Sequence, residues 1–206
     1  MGSDNLFWKK KQKQEDLKRK KEARKPAQTF LIVCEGEKTE PNYFRSFNLS
    51  NATIEVVGTG RNTRSLIQSI EKSYEIKDFD QVWAVFDKDS FSGENFNVAI
   101  DKAHKKKMNV AYSNEAFELW YLLHFHYFNT GITRDKYIEK LSILLGHKYL
   151  KNSTTMYKEI KDKQTVAIKN AKKILTNFTN GETPSQMNPS TTVFKLVEEL
   201  NKYLKT

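Results

Sequence analysis

Cysteine is almost absent from this chain of 206 residues, which contains only Cys34. A single cysteine excludes an internal disulfide framework and any zinc site built from several cysteines. Long apolar runs are also missing: the longest stretch without Asp, Glu, Lys or Arg is residues 119–133. That stretch is shorter than the roughly 20 apolar residues that span a bilayer, and the lysine-rich amino terminus lacks the apolar segment of a secretory signal. We therefore expect a cytoplasmic protein with no membrane segment.

Acidic residues are fewer than basic ones, and the excess of positive charge lies near the amino terminus. The chain has 35 Lys and Arg against 25 Asp and Glu, a formal net charge of +10, and residues 9–25 hold ten basic residues against three acidic ones. A basic arm before a nearly neutral domain fits a polyanion such as DNA or RNA, because each phosphate contact releases counterions. A solvated lysine-rich tail explains the same composition equally well. The candidate nucleic-acid contacts in this arm are Lys9, Lys10, Lys11, Lys18, Arg19, Lys20 and Lys21.

After this basic leader, short β-prone apolar runs alternate with segments of helical periodicity. The predicted strands are 29–34, 54–57, 82–86 and 108–112. The predicted helices between them begin near Pro41, Thr63 and Asn95. Strands and helices that alternate at such short spacing predict βαβ units and a parallel sheet with helices on both faces.

The remainder of the chain is predicted to be almost entirely helical, with helices at 115–128, 137–145, 160–175 and 193–204. We therefore predict an α/β chain in three parts: a basic leader (1–27), a small parallel-sheet core (28–114) and a helical carboxy-terminal portion packed on that core (115–206).

Acidic residues collect where the predicted strands end. Glu35 follows the first strand, Asp87 and Asp89 follow the third, and Glu115 and Glu118 follow the fourth. The carboxyl ends of parallel strands meet at one edge of a sheet, so these carboxylates would repel one another unless a cation lies among them. Hard oxygen ligands suit Mg²⁺ or Mn²⁺ rather than zinc. The pattern predicts a site for one or two such ions.

A purely structural interpretation of the same acids is that they cap helices. Asp and Glu favour the positive end of a helix, and this alone explains Glu40, before Pro41, and Glu115. Glu118 is harder to explain in this way, because it lies in an apolar segment where an unpaired charge is costly to bury. It requires a metal, a basic partner or a hydrogen-bond network. On the predicted helix, Glu115 would lie one turn earlier on the same face.

Four segments resemble the RloB family, which includes the AbiLii abortive-infection protein. They are Phe-Leu-Ile-Val-Cys-Glu-Gly-Glu-Lys-Thr-Glu-Pro-Asn-Tyr-Phe (30–44), Val-Phe-Asp-Lys-Asp (85–89), Ser-Asn-Glu-Ala-Phe-Glu-Leu-Trp-Tyr-Leu-Leu-His-Phe (113–125) and Asn-Pro-Ser-Thr-Thr-Val-Phe-Lys-Leu-Val-Glu-Glu-Leu (188–200). The resemblance covers about 29–204 and implies a Toprim-like fold. In that fold, a Glu after the first strand and an Asp-x-Asp after the third hold Mg²⁺ for phosphodiester chemistry.

Carried over residue by residue, the resemblance assigns Glu35 to the Toprim glutamate, since Gly36 follows it, and Asp87 and Asp89 to the Asp-x-Asp pair. Glu40 resembles a second acidic position of OLD-type nucleases. Glu118 or Glu115 would supply the remaining carboxylate.

Basic residues near these acids have two interpretations. Lys38 and Lys88 flank the acids and would neutralise charge that develops on a reacting phosphate, or they only balance surface charge. Arg61 and Arg64, in and after the Gly-x-Gly turn at 58–60, would contact a phosphate, although a tight turn capped by Thr63 explains the same pattern.

The resemblance implies a Mg²⁺- or Mn²⁺-dependent nuclease that cleaves RNA or DNA in bacterial antiphage defence. The chain has no Gly-rich Walker loop, so ATP-dependent control would come from a partner, and the resemblance implies an AAA-type ATPase similar to RloA or AbiLi. Self-association stays open. A non-catalytic module that binds nucleic acid or a partner protein is the main alternative, and the same metal site would also support nucleotidyl transfer or ligation.

Overall fold

The structure is a computed structural model that describes residues 28–60, 63–89, 92–179 and 181–205. The predictions for the basic arm at 9–25, and for the side chains of Arg61 and Arg64, lie outside the described residues. No helix in the described part of the chain is both long enough and apolar enough to cross a membrane.

Five strands form one sheet in the order β2-β1-β3-β4-β5. The first four strands run parallel, and the two-residue β5 pairs antiparallel with β4 at one edge. The strands are β1 (Gln28–Cys34), β2 (Ala52–Gly58), β3 (Gln81–Asp87), β4 (Asn109–Asn114) and β5 (Ser190–Thr191). The sheet and its connecting helices confirm the predicted α/β class.

Eight α-helices lie in the described residues, together with single 3-10 turns at Ile76–Asp78 and Lys161–Lys163. The α-helices are α1 (Thr39–Arg45), α2 (Thr63–Ser73), α3 (Gly93–Lys105), α4 (Glu118–Leu122), α5 (Arg134–Leu145), α6 (Met156–Ile160), α7 (Gln164–Leu175) and α8 (Val193–Asn201).

The central strands are buried on both faces, which explains their continuous apolar sequences. In β1, Ile32 and Cys34 face one hydrophobic cluster, while Leu31 and Val33 face the other. Helices α2 and α3 cover the second cluster. Helix α1 covers the first together with the carboxy-terminal helices, so residues after 115 pack directly on the sheet. Cys34 is fully buried there, and burial raises the pKa of its thiol.

Two helix predictions were wrong in detail. The helix expected at 115–128 is reduced to the five residues of α4, so Glu115 precedes the helix and does not share a helical face with Glu118. The backbone amide of Phe117 donates to the carboxylate of Asp87, so the segment that leads into α4 is tied to the end of β3. The helix expected at 160–175 is broken into α6, a 3-10 turn and α7.

The strand order creates a crevice at one point of the sheet. The loop after β1 leads to β2 on one side, whereas the loop after β3 leads to β4 on the other. Loops that leave neighbouring parallel strands in opposite directions open a crevice at the carboxyl ends of those strands, which is where α/β folds place their ligands. Glu35 and Asp87 lie at this position, since Cys34 is paired with Val85 in the sheet.

Candidate functional site

A cleft of about 230 Å³ lies at this crevice, and acidic side chains dominate its lining. The acids come from the ends of β1 and β3 and from the beginnings of α1 and α4. Two basic side chains, Arg134 and Lys151, complete the charged lining. The full lining is Glu35, Gly36, Thr39, Glu40, Asp87, Asp89, Phe117, Glu118, Arg134 and Lys151.

Two glycines allow the loop between β1 and α1 to fit tightly at the cleft. A Cβ atom on Gly58 would lie only 2.7–2.8 Å from backbone atoms of residues 36 and 37, so the end of β2 packs against this loop at a distance that only glycine permits. A Cβ atom on Gly36 would collide with the carboxylate of Glu40. The Glu40 side chain therefore lies against the backbone of Gly36, where it is 6% exposed. Glu35 is held by its amide, which donates to the Val85 carbonyl at 2.8 Å.

Asp87 is the most constrained acid of the cleft. Its residue is 8% exposed, and its Oδ2 accepts hydrogen bonds from the Phe117 amide and from Nη2 of Arg134, both at 3.1 Å. Its other oxygen, Oδ1, is buried and has no hydrogen-bond partner among the described residues. Burial raises the pKa of the Asp87 carboxyl well above its ordinary value, and nearby Glu40 and Glu118 raise it further, against the opposing effects of Arg134 and the Phe117 amide.

Arg134 bridges the two acids of the Asp-x-Asp motif. Nη1 lies 3.0 Å from Oδ2 of Asp89, and Nη2 lies 3.1 Å from Oδ2 of Asp87. Asp89 reaches this position through a left-handed backbone conformation (φ 37°), which Asp tolerates better than most residues, and its amide donates to the Glu115 carbonyl at 3.1 Å.

The carboxylate of Glu118 is held by a hydrogen bond and makes no ion pair with a basic side chain among the described residues. It is 3% exposed, and the Tyr149 hydroxyl donates to its Oε1 at 3.3 Å. Burial and the nearby Glu118 carboxylate raise the pKa of the Tyr149 hydroxyl. The chain after Tyr149 is tied to α1, since the Thr39 hydroxyl donates to the Lys151 carbonyl at 2.6 Å and the Asn42 amide donates to the Asn152 carbonyl at 3.1 Å. These contacts bring Lys151 to the cleft.

Three residues predicted for the site do not line the cleft. Lys38 is exposed in front of α1, and Lys88 uses its backbone amide to donate to the Ser113 carbonyl at 2.8 Å. Glu115 contributes a backbone carbonyl that holds Asp89. The catalytic roles of Lys38 and Lys88 and the metal-binding role of Glu115 stay predictions. The basic residues that line the cleft are Arg134 and Lys151, and the acid after β4 that lines it is Glu118.

Sequence reasoning did not identify Arg134 or Lys151. Arg134 lies 45 residues after Asp89 and Lys151 lies in a polar loop, and neither belongs to a segment that carries the family resemblance. Long-range contacts alone bring them to the acids, and the local sequence gives no signal for such contacts.

The raised pKa of the Glu40 carboxyl makes the charge of the cleft depend on whether a cation is bound. Burial raises the pKa of Glu40 to about 7, and Glu118 and Glu35 also raise it, while the backbone amide of Glu40 and Arg134 lower it. A carboxyl of this kind gains most from a bound cation, because the cation offsets both its burial and its acidic neighbours.

The donor chemistry fits a hard divalent cation, although no ready-made cage is present. No group of three or more His, Cys, Asp or Glu side chains within the described ranges is arranged to hold a metal ion. Mg²⁺, however, commonly binds through one or two carboxylates and keeps several water ligands. The unpartnered Oδ1 of buried Asp87 is an open oxygen ligand of the required type. The residues that would hold the ion are Asp87, Asp89, Glu35, Glu40 and Glu118.

Comparison with known proteins gives a family match. A family model described as RloB, RloB-like protein, matches residues 30–200, which is most of the chain and includes every residue that lines the cleft. Comparisons with curated proteins and with solved structures gave no match.

Proposed function

This chain belongs to the RloB-like family, and we propose that it is a Toprim-like nuclease that hydrolyses phosphodiester bonds of RNA or DNA with Mg²⁺ or Mn²⁺. Membership of this family fits a role in defence, and the proposal places the nuclease in bacterial antiphage defence under the control of a partner AAA-type ATPase. One observation carries the proposal: the crevice at the ends of β1 and β3 gathers buried carboxylates, and one oxygen of Asp87 is left without a partner among the described residues.

The acids at the strand ends would hold the cation in this proposal. Asp87 presents its open Oδ1, and Asp89 and Glu35 lie on the two loops that border the crevice. When bound, a divalent cation would lower the pKa of a water molecule and neutralise charge on the phosphate. The strand ends fix the backbones of Glu35 and Asp87 in register, so the two carboxylates would start from neighbouring positions at the crevice.

The basic residues of the cleft would orient the phosphate group. Lys151 is the cleft ammonium that makes no ion pair with any described residue, so it is available to a polyanion. Its backbone is anchored to α1 through Thr39, which fixes where the side chain begins. The basic arm at 9–25 would add sequence-independent contacts to the same nucleic acid.

The ion pairs of Arg134 favour a second candidate function. One guanidinium offsets part of the charge of both Asp87 and Asp89, so this acidic pair is stabilised without a metal. In that case the chain would be a binding module for nucleic acid or for the partner ATPase, and the acids would only fix the loops of the cleft.

Metal binding and cleavage separate these two functions. Crystals soaked in Mn²⁺ should show anomalous density beside Asp87 and Glu35, and the protein should cleave members of a mixed RNA and DNA panel when Mn²⁺ and the partner ATPase are present. Absence of both density and cleavage in every combination would support the binding module.

A further inference from the structure

Arg134 holds one oxygen of each acid of the Asp-x-Asp pair, so a second cation at this pair would lie beside its guanidinium. Its two terminal nitrogens are divided between the two carboxylates, at 3.0 Å from Asp89 and 3.1 Å from Asp87. A guanidinium has a rigid planar fork, so this arrangement depends on both nitrogens rather than on charge alone.

A metal that used both oxygens of either carboxylate would need an oxygen that Arg134 occupies. Oδ2 of Asp87 already accepts from the Phe117 amide and from Arg134, and Oδ2 of Asp89 accepts from Arg134. A hard cation that bound Asp87 through its open Oδ1 and Asp89 through its other oxygen would still lie beside the guanidinium and would repel it. The bridge therefore opposes the binding of a metal shared by Asp87 and Asp89.

The bridging position also leaves Arg134 incompletely satisfied. Its Nε is buried and has no hydrogen-bond partner within the described residues, although its side chain is still 31% exposed. Arg134 is the first residue of α5, so its backbone is anchored while its long side chain enters the cleft from the rim. Release of this side chain from the acids would therefore leave the backbone of α5 in place.

We propose that Arg134 is a built-in counter-ion that competes with the divalent cation for Asp87 and Asp89, and that metal binding releases its guanidinium to a phosphate of the substrate. This inference rests on the proposed function, because it requires a metal site at these acids. It assigns Arg134 two states: a bridge between the acids when metal is absent, and a phosphate contact at the cleft when metal is bound.

Metal affinity of matched variants tests the competition. Mn²⁺ binding is measured by calorimetry on the full chain for wild type, Arg134→Gln, Arg134→Lys, Lys151→Gln and Lys106→Gln. Lys106→Gln breaks an ion pair with Glu71 outside the cleft (2.6 Å) and controls for the loss of one positive charge. Lys151→Gln removes a cleft charge without removing a bridge and measures the long-range electrostatic effect.

Competition with the bridge predicts that Arg134→Gln binds Mn²⁺ about tenfold more tightly than wild type, a gain of about 1.4 kcal/mol. It also predicts a clear gain for Arg134→Lys, which keeps the charge but cannot bridge both acids. A purely long-range effect predicts no gain for Arg134→Lys and equal gains for Arg134→Gln and Lys151→Gln, and that result would overturn the inference while leaving the metal site intact. No Mn²⁺ binding by any variant would overturn both the inference and the proposed function.

The wild-type protein provides a test that needs no variant. Hydrogen bonds to Asp87 and Asp89 slow the exchange and rotation of the Arg134 guanidinium protons, so these protons should give a resolved NMR signal in metal-free protein. Titration with Mg²⁺ should remove that signal if the bridge opens. A signal that persists at saturating Mg²⁺ would show a permanent structural ion pair and would overturn the inference.

Discussion

The backbone amide of Phe117 donates a hydrogen bond to Oδ2 of Asp87, with 3.1 Å between the two atoms. This bond links the end of β3 to the beginning of α4 and so holds Glu118 at the cleft. The two oxygens of Asp87 therefore serve different purposes. Oδ2 holds the backbone at Phe117, while Oδ1 has no partner among the described residues and is available to a ligand. The interpretations of Asp87 as a cap and as a ligand are compatible, because they use different oxygens.

Asp87→Asn should separate these two tasks. The asparagine oxygen can still accept from the Phe117 amide, but the negative charge that a hard cation needs is gone. We expect Mn²⁺ affinity to fall by more than about tenfold, equal to about 1.4 kcal/mol, and cleavage to be lost. The metal-free melting temperature should stay equal or rise, because a buried charge beside Glu40 and Glu118 is removed.

Asp101→Asn is the matched control for this change, since Asp101 is exposed on α3. It should alter neither Mn²⁺ affinity nor cleavage. A large loss of stability in Asp87→Asn with metal binding retained would contradict the assignment of Asp87 as a ligand and would leave it a structural residue only.

The stability of the metal-free wild type should fall relative to that of Glu40→Gln as pH rises from about 5 to 7.5. The comparison with this variant is needed because burial lowers the pKa of His124 to about 4, which changes the total stability in the opposite direction. The folded protein raises the pKa of Glu40 from 4.5 to about 7, so the folded state holds a proton that the unfolded state has already released in this range. Glu40 contributes at most about 3 kcal/mol to the free energy of unfolding in this way. This contribution is complete below pH 4.5 and is lost as pH rises through 7. The raised pKa of Asp87 acts in the same direction.

Melting temperatures across this pH range, with and without Mn²⁺, check the sign. Glu40→Gln should remove this contribution, so its metal-free profile should slope more positively than that of wild type, whereas Glu139→Gln, at an exposed position on α5, should follow wild type. Saturating Mn²⁺ should also flatten or reverse the slope, because the cation binds the ionised acids. Equal slopes for wild type and Glu40→Gln would show that Glu40 is not held in its protonated form.

Gly36→Ala should disturb the site without unfolding the chain. The added Cβ would meet the Glu40 carboxylate, which is the free end of a flexible side chain and can move. We expect Mn²⁺ affinity to fall several-fold while stability changes by no more than about 1 kcal/mol, a shift of about 2–4 °C in melting temperature.

Gly181→Ala is the control, because a Cβ atom there would have open space around it. Equal metal affinities for Gly36→Ala and wild type would mean that the position of Glu40 is unimportant for the cation.

The strands and the acids at their ends could be predicted because their signals are local. A strand buried on both faces is a continuous apolar run, and Glu35 and Asp87 directly follow two such runs. Once the sheet is known to be parallel, the meeting of the two acids at one edge follows from the geometry of βαβ units.

The basic side of the cleft could not be predicted in the same way. Arg134 reaches Asp87 and Asp89 from 47 and 45 residues away, and Lys151 depends on contacts between its loop and α1. The length of α4 was also mispredicted, because the aromatic pattern after Glu115 reflects burial in a mixed core rather than a helical face. The two-residue β5 consists of a serine and a threonine, which carry no alternation to recognise.

The basic arm at 9–25, which lies outside the described residues, is tested by the salt dependence of nucleic-acid binding. Deleting residues 1–25 removes ten basic side chains and leaves β1 intact, since β1 begins at Gln28. If the arm binds phosphates, deletion should weaken binding of RNA or DNA and flatten the slope of log K against log salt, by about 0.7–0.9 for each phosphate that the arm neutralises in the wild-type complex. Melting temperature should not change. A full-length variant in which Lys18, Arg19, Lys20 and Lys21 are replaced by Gln should give part of this effect. An unchanged slope in both variants would leave the arm a solubility tail and confine nucleic-acid binding to the cleft.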